Sequence, residues 1–94
     1  MTIRGLIWLA TIVEKLAVKH NVSTGEVEEL FGNGPHFRFV ESGFTPGEDV
    51  YSALGQTEAG RYLIVFFILK SDRQALVVSA CDMTSGERKF YAKH

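Results

Sequence analysis

Eight side chains in this 94-residue sequence are of types that move protons or hold anions: His20, His36, Arg38, Arg61, Arg73, Glu87, Arg88 and Tyr91. No catalytic triad, glycine-rich phosphate loop or Cys/His metal spacing frames them, so any chemistry depends on the fold gathering several of them. Taken singly, each has an ordinary explanation. An arginine at a strand end keeps a surface soluble, a histidine after a helix caps it, and a glutamate three residues after a threonine is a capping partner.

The elements that must position these groups follow from periodicity. Leu63 to Leu69 is an uninterrupted apolar run rich in β-branched and aromatic residues, as expected of a central strand covered on both faces. Lys70-Ser71-Asp72-Arg73 is a polar break of hairpin length, and Leu76, Val77 and Val78 lie in a second strand ending near Cys81. Upstream, Ile3 to Trp8 suits a first strand or an extended lead-in that packs Trp8 into the core. Leu9, Ile12, Val13, Leu16 and Ala17 recur at helical spacing, giving a helix over roughly Ala10 to Lys19 that ends at His20-Asn21. Ser23 and Glu26 form a capping box for a second helix with Val27, Leu30 and Phe31 on its apolar face, stopped by Gly32-Asn33-Gly34-Pro35. His36 to Val40 alternates with period two, Glu41 to Gly47 reads as a mobile loop, and Asp49 to Gln56 is another strand. Thr84 and Glu87 repeat the capping pattern before a short final helix through Tyr91. The expectation is one α+β domain over residues 1–94: a single antiparallel sheet of about four strands, with a fifth N-terminal strand left open, two N-terminal helices and a short C-terminal helix, with helices packed against a face.

Composition narrows the class. At 46% apolar residues the chain can bury a modest core, and no apolar run approaches the ~20 residues of a membrane span. Gly5 to Ala10 lacks a signal peptide's length and basic flank, so a cytoplasmic protein with no membrane partner is expected. One cysteine, Cys81, forms no internal disulfide, in keeping with a reducing compartment. The net charge of −1 makes the chain as a whole no magnet for nucleic acid. Its end differs: Lys70, Arg73, Arg88, Lys89 and Lys93 against Asp72, Asp82 and Glu87 give residues 70–94 a balance of +2 and leave −3 for residues 1–69.

An ordered set of segments then resembles a known family. Ile7-Trp8-Leu9-Ala10, Lys19-His20-Asn21-Val22-Ser23, Glu26-Val27-Glu28-Glu29-Leu30-Phe31, Gly47-Glu48-Asp49, Gly55-Gln56-Thr57, Gly60-Arg61-Tyr62-Leu63-Ile64-Val65, Val77 to Thr84, Glu87-Arg88 and Tyr91 together look like a BrnT-type toxin. No single motif is diagnostic; the order across nearly the whole chain carries the resemblance. It implies a RelE-like fold and the toxin half of a bacterial type II toxin–antitoxin pair, a small endoribonuclease. Its implied partners are an RNA substrate and a ribbon-helix-helix BrnA-type antitoxin, with DNA reached only through that antitoxin and with homodimer or hetero-oligomer left open. No cofactor or metal is implied. The ribose 2′-hydroxyl attacks the adjacent phosphate while one group takes its proton, another protonates the leaving 5′-oxygen and cations steady the charge. On this resemblance the catalytic set is His20, Arg61, Glu87, Arg88 and Tyr91. Arg61 and Arg88 hold phosphate, His20 or Glu87 transfers the proton, and Tyr91 stacks on a base or orients a neighbour. Lys19, Arg73 and Lys89 are the expected substrate-binding cations.

The sequence also departs from the family's pattern. Arginine is usual where this chain has Cys81, often where it has Ala75, and the final helix is usually strongly basic where it has Ser85-Gly86. Even spacing on one strand is expected to put Ala75 and Cys81 on the same face. Loss of a phosphate-binding arginine costs on the order of 2 to 4 kcal/mol of transition-state stabilisation, or roughly 10²- to 10³-fold in rate. The alternative reading is therefore a weakened or inactive relative that binds a partner. For Cys81 itself the two readings are a small buried filler and a thiol whose pKa falls near a helix N-terminus.

Overall fold

The computed structural model describes residues 1–94. Its elements are β1 (Gly5–Ile7), α1 (Ala10–His20), α2 (Thr24–Gly32), β2 (His36–Glu41), β3 (Val50–Gln56), β4 (Tyr62–Leu69), β5 (Gln74–Asp82) and α3 (Ser85–Ala92). The strands make one sheet in the order β1-β5-β4-β3-β2, antiparallel except where β1 runs parallel to β5. The sheet is therefore mixed, which corrects the antiparallel expectation. The cause is connectivity: β1 leads into two helices before the meander of β2 to β5 begins, and the last strand of that meander returns beside β1 in the same direction. Of strand and lead-in, the strand is what forms, three residues long.

Alternation along β4 builds two cores. Leu63, Val65 and Phe67 point to one face, where Leu16, Val22, Val27 and Leu30 of the α1–α2 region cover them. Phe67 is fully buried, with the rings of Phe31, Phe37 and Tyr51 around it at centroid distances of 5.5, 5.9 and 6.0 Å. Tyr62, Ile64 and Phe66 point the other way and gather with Leu54, Met83, Phe90 and Tyr91. That second cluster seats α3, so helices cover both faces of the sheet and not one. At roughly 1.5 to 3 kcal/mol per fully buried large side chain, the first cluster dominates stability. The second holds α3 more lightly, and none of α3's own residues is fully buried. Trp8 packs against the first cluster with its Nε1 buried and without an acceptor.

Local chemistry explains the boundaries. Asn21 takes the left-handed conformation at the end of α1, φ 51° and ψ 42°, and the Val22 N–H donates back to the Leu16 carbonyl. Both halves of the Ser23–Glu26 capping box are made at the start of α2, and both halves of the Thr84–Glu87 box at the start of α3. Between β4 and β5, Arg73 has φ 70°, and Asp72 accepts hydrogen bonds from the Gln74 backbone and side chain that hold its carboxyl below the usual range.

One irregularity changes the reading of β5. Phe66 pairs with Ser79 but Phe67 with Val77, so Val78 is an extra residue in a bulge. The bulge reverses the alternation. Ala75 and Val77 belong to the helix-covered core before it and Ala80 after it, whereas Cys81 packs in the α3-side cluster. Ala75 and Cys81 thus lie on opposite faces, against the expectation from their even spacing.

Candidate functional site

The end of the sheet where β4 begins and β5 finishes carries most of the predicted groups, divided between its two faces. On the α1–α2 side stands Arg61. A turn with Gly60 at φ 88° presents it; the Arg61 N–H donates to Thr57 Oγ1 at 3.0 Å and the Thr57 N–H to the Arg61 carbonyl at 3.0 Å. Arg61 Nε donates to Asp82 Oδ1 at 2.8 Å, and Nη2 reaches Asp82 Oδ2 at 3.3 Å. Nη1 donates to Glu26 Oε2 at 3.1 Å and to the Asn21 carbonyl at 2.7 Å, and Nη2 to the His20 carbonyl at 3.0 Å. A guanidinium has five N–H donors, and this set occupies them. Arg61 is a clamp joining the end of α1, the start of α2 and the end of β5.

The electrostatics follow. The Asp82 hydrogen bond, followed by those to Glu26, raises the Arg61 pKa against the opposing effect of partial burial. Asp82 is held below the usual carboxylate range by the Arg61 hydrogen bond and charge, with a further contribution from His20. For Glu26, burial pushes upward, but hydrogen bonds from the Ser23 backbone and from Arg61 outweigh it and leave the carboxyl lowered. His20 therefore sits within electrostatic range of Asp82 and lends its carbonyl to the clamp.

Across the sheet, α3 builds a different surface. The Arg88 guanidinium lies over the Tyr62 ring, 4.0 Å from its centroid, and Tyr62 meets Tyr91 edge-on at 6.1 Å. Tyr62, Arg88, Lys89, Tyr91 and Ala92 line a hollow of about 310 Å³. Arg88 and Lys89 make no ion pair, so their charges face outward unneutralised. Two cations beside two aromatic rings suit a planar base with an attached anion, and the volume is at the small end of ligand sites. The Glu87 carboxylate accepts from the Thr84 N–H at 2.8 Å in the cap and does not line the hollow.

The predicted set is thus partitioned. Arg88, Lys89 and Tyr91 share the hollow; His20 and Arg61 stand together on the other face; Glu87 caps α3 at the same end of the sheet. Lys19 is exposed in the last turn of α1. Arg73 is at the far end of β5, roughly 30 Å of extended strand from Asp82, where its Nε donates to the Thr2 carbonyl at 3.3 Å. His36 and Arg38 secure the other end of α3: Arg38 stacks over Phe90 at 4.1 Å, and His36 meets Phe90 at 5.3 Å and His94 at 4.8 Å. Burial raises the Cys81 thiol, and the charges of Glu87 and Asp82 raise it further, which favours the filler reading over a thiol lowered near the helix start.

Tyr62 was missed as a site residue. The available signal was its place one step before Leu63 on an alternating strand, which turns it to the face opposite the main core. A larger hollow of about 670 Å³ lies elsewhere, between Ile3 to Leu6 and the Phe31–Phe37 region, and contains none of the predicted residues. No three His, Cys, Asp or Glu side chains stand close enough to hold a metal ion. No protein-family model and no curated protein matches the chain.

Proposed function

We propose that this protein is the toxin-type half of a bacterial toxin–antitoxin pair, BrnT-like and RelE-like in fold, and that its target is RNA, cut without a metal by 2′-hydroxyl attack. The observation that carries the RNA reading is the hollow of Tyr62, Arg88, Lys89 and Tyr91, where outward-facing cations flank aromatic rings. Arg88 holds the phosphate, Lys89 adds charge, and the tyrosines stack a base. Of the candidates for proton transfer, Glu87 shares the α3 side of the sheet with the hollow, whereas His20 stands on the opposite face.

A second reading, a weakened relative that acts by binding an antitoxin-type partner, is favoured by two observations. Arg61 has its donors committed to Asp82, Glu26 and two carbonyls, leaving none for a scissile phosphate. Cys81, on the α3 side, supplies no cation where the resembled family has arginine, while Ala75 is sealed in the opposite core and bears on neither reading.

Purified protein and a Cys81→Arg variant, each incubated with RNA in chelator, separate the two. Cutting by both supports the ribonuclease; cutting by the variant alone supports the weakened relative. RNA neither cut nor bound by either would end the RNA reading.

A further inference from the structure

β2 pairs only with β3 and leaves one edge of the sheet open; on the other side the three-residue β1 covers β5 only as far as Leu76. Along β2 and the loop after it, Phe39 is 56% exposed, Val40 45% and Phe44 fully exposed. An open edge bearing apolar side chains is a template for another strand.

The irregularity within β2 decides which strand fits. Phe39 pairs with Tyr51 and Glu41 with Val50, so Val40 is an extra residue. The bulge puts Glu41, opposite Val50, on the same face as Arg38, opposite Ser52. Neither makes an ion pair within the chain. Arg38 rests on the Phe90 ring with its N–H groups free of protein acceptors. An antiparallel two-fold pairing of β2 with itself keeps each face on its own side. It sets Arg38 of one copy opposite Glu41 of the other, twice over, with Phe39 beside Val40 between them.

We propose that the protein self-associates through β2, with a second copy of this chain as the occupant of that edge. Independent of any role of α3 in RNA binding, the surface is self-complementary in charge and in apolar character. A stable interface needs about 800 Å² per partner, more than one short strand and three apolar side chains supply, so the dimer is weak and depends on concentration.

Sedimentation equilibrium of the full chain, from low micromolar to submillimolar concentration, tests this. The native protein is expected to dimerise reversibly. Glu41→Arg, which leaves the Arg38–Phe90 stack alone, is expected to weaken the dimer about tenfold, as is Arg38→Glu. The R38E/E41R double variant restores it, while circular dichroism confirms that each variant is folded. A monomer at every concentration overturns the proposal, including one that binds another protein at this edge. So does a dimer indifferent to both reversals, or a double variant no tighter than the singles.

Discussion

Replacing Arg61 by methionine separates a clamp from a phosphate ligand. The substitution keeps the side chain's apolar stem and removes its hydrogen bonds to Asp82, Glu26 and the His20 and Asn21 carbonyls. Both carboxylate pairs are partly exposed, with side-chain exposure of 24% for Arg61, 28% for Glu26 and 66% for Asp82. Screening therefore holds each pair to about 0.5 to 1 kcal/mol. The two carbonyls lose a charged donor at about 1 kcal/mol each, giving roughly 3 to 4 kcal/mol in total. That is a large part of the stability of a domain this size and corresponds to a melting temperature lower by roughly 15 to 25 °C. Urea unfolding followed by the fluorescence of Trp8 measures it. Glu26 and Asp82 have folded-state pKa values below their ordinary ones, so their contribution is complete above the unfolded values and is lost as pH falls through the folded ones. The native protein should weaken as pH drops below about 4.5, with a shallower loss in Arg61→Met, where the pairs are already gone. A variant less than about 1 kcal/mol destabilised, yet binding RNA tenfold more weakly, would refute the clamp and return Arg61 to the phosphate.

Three further predictions concern α3 and the strand end it packs on. Arg88→Ala and Lys89→Ala should each weaken RNA binding about tenfold and reduce the slope of log affinity against log salt by about one, with stability nearly unchanged in Lys89→Ala and lowered by no more than about 1 kcal/mol in Arg88→Ala, where the contact with Tyr62 is lost. Thr84→Ala removes the hydroxyl that accepts from the Glu87 N–H at 3.1 Å and should cost about 1 kcal/mol, seen as faster hydrogen exchange across Ser85–Ala92 before the sheet exchanges. Cys81 should react with iodoacetamide more slowly than an unhindered thiol at neutral pH and accelerate only in alkaline solution, because its pKa is raised; fast alkylation at pH 7 would contradict this environment.

What the sequence displayed was mostly local. The Ser23–Glu26 and Thr84–Glu87 boxes, the helix end at His20-Asn21 and the apolar run of β4 each depend on neighbours a few positions away, and each forms where its residues indicate. Position across the sheet was harder to read. A single extra residue at Val78 reverses the faces of β5, and no composition signal marks it, so the spacing of Ala75 and Cys81 pointed to the wrong geometry. β1 carries Gly5 and only three residues, too few for a period, and its parallel pairing is set by the long return of the chain. Arg61 was recognisable as a residue of interest, but its partners at 20, 21, 26 and 82 are distant in sequence, and only the folded chain shows its donors already engaged. The capping function of Glu87 was visible from Thr84; its exclusion from the Tyr62–Arg88 hollow was not.

The proposed binding of RNA at α3 is decided by an amide-resolved NMR titration of the protein with a short single-stranded RNA in chelator. The expected result is a set of saturable shifts centred on Tyr62, Arg88, Lys89 and Tyr91 that shrink as salt is raised. Shifts confined to another surface, or none at millimolar RNA, would contradict it.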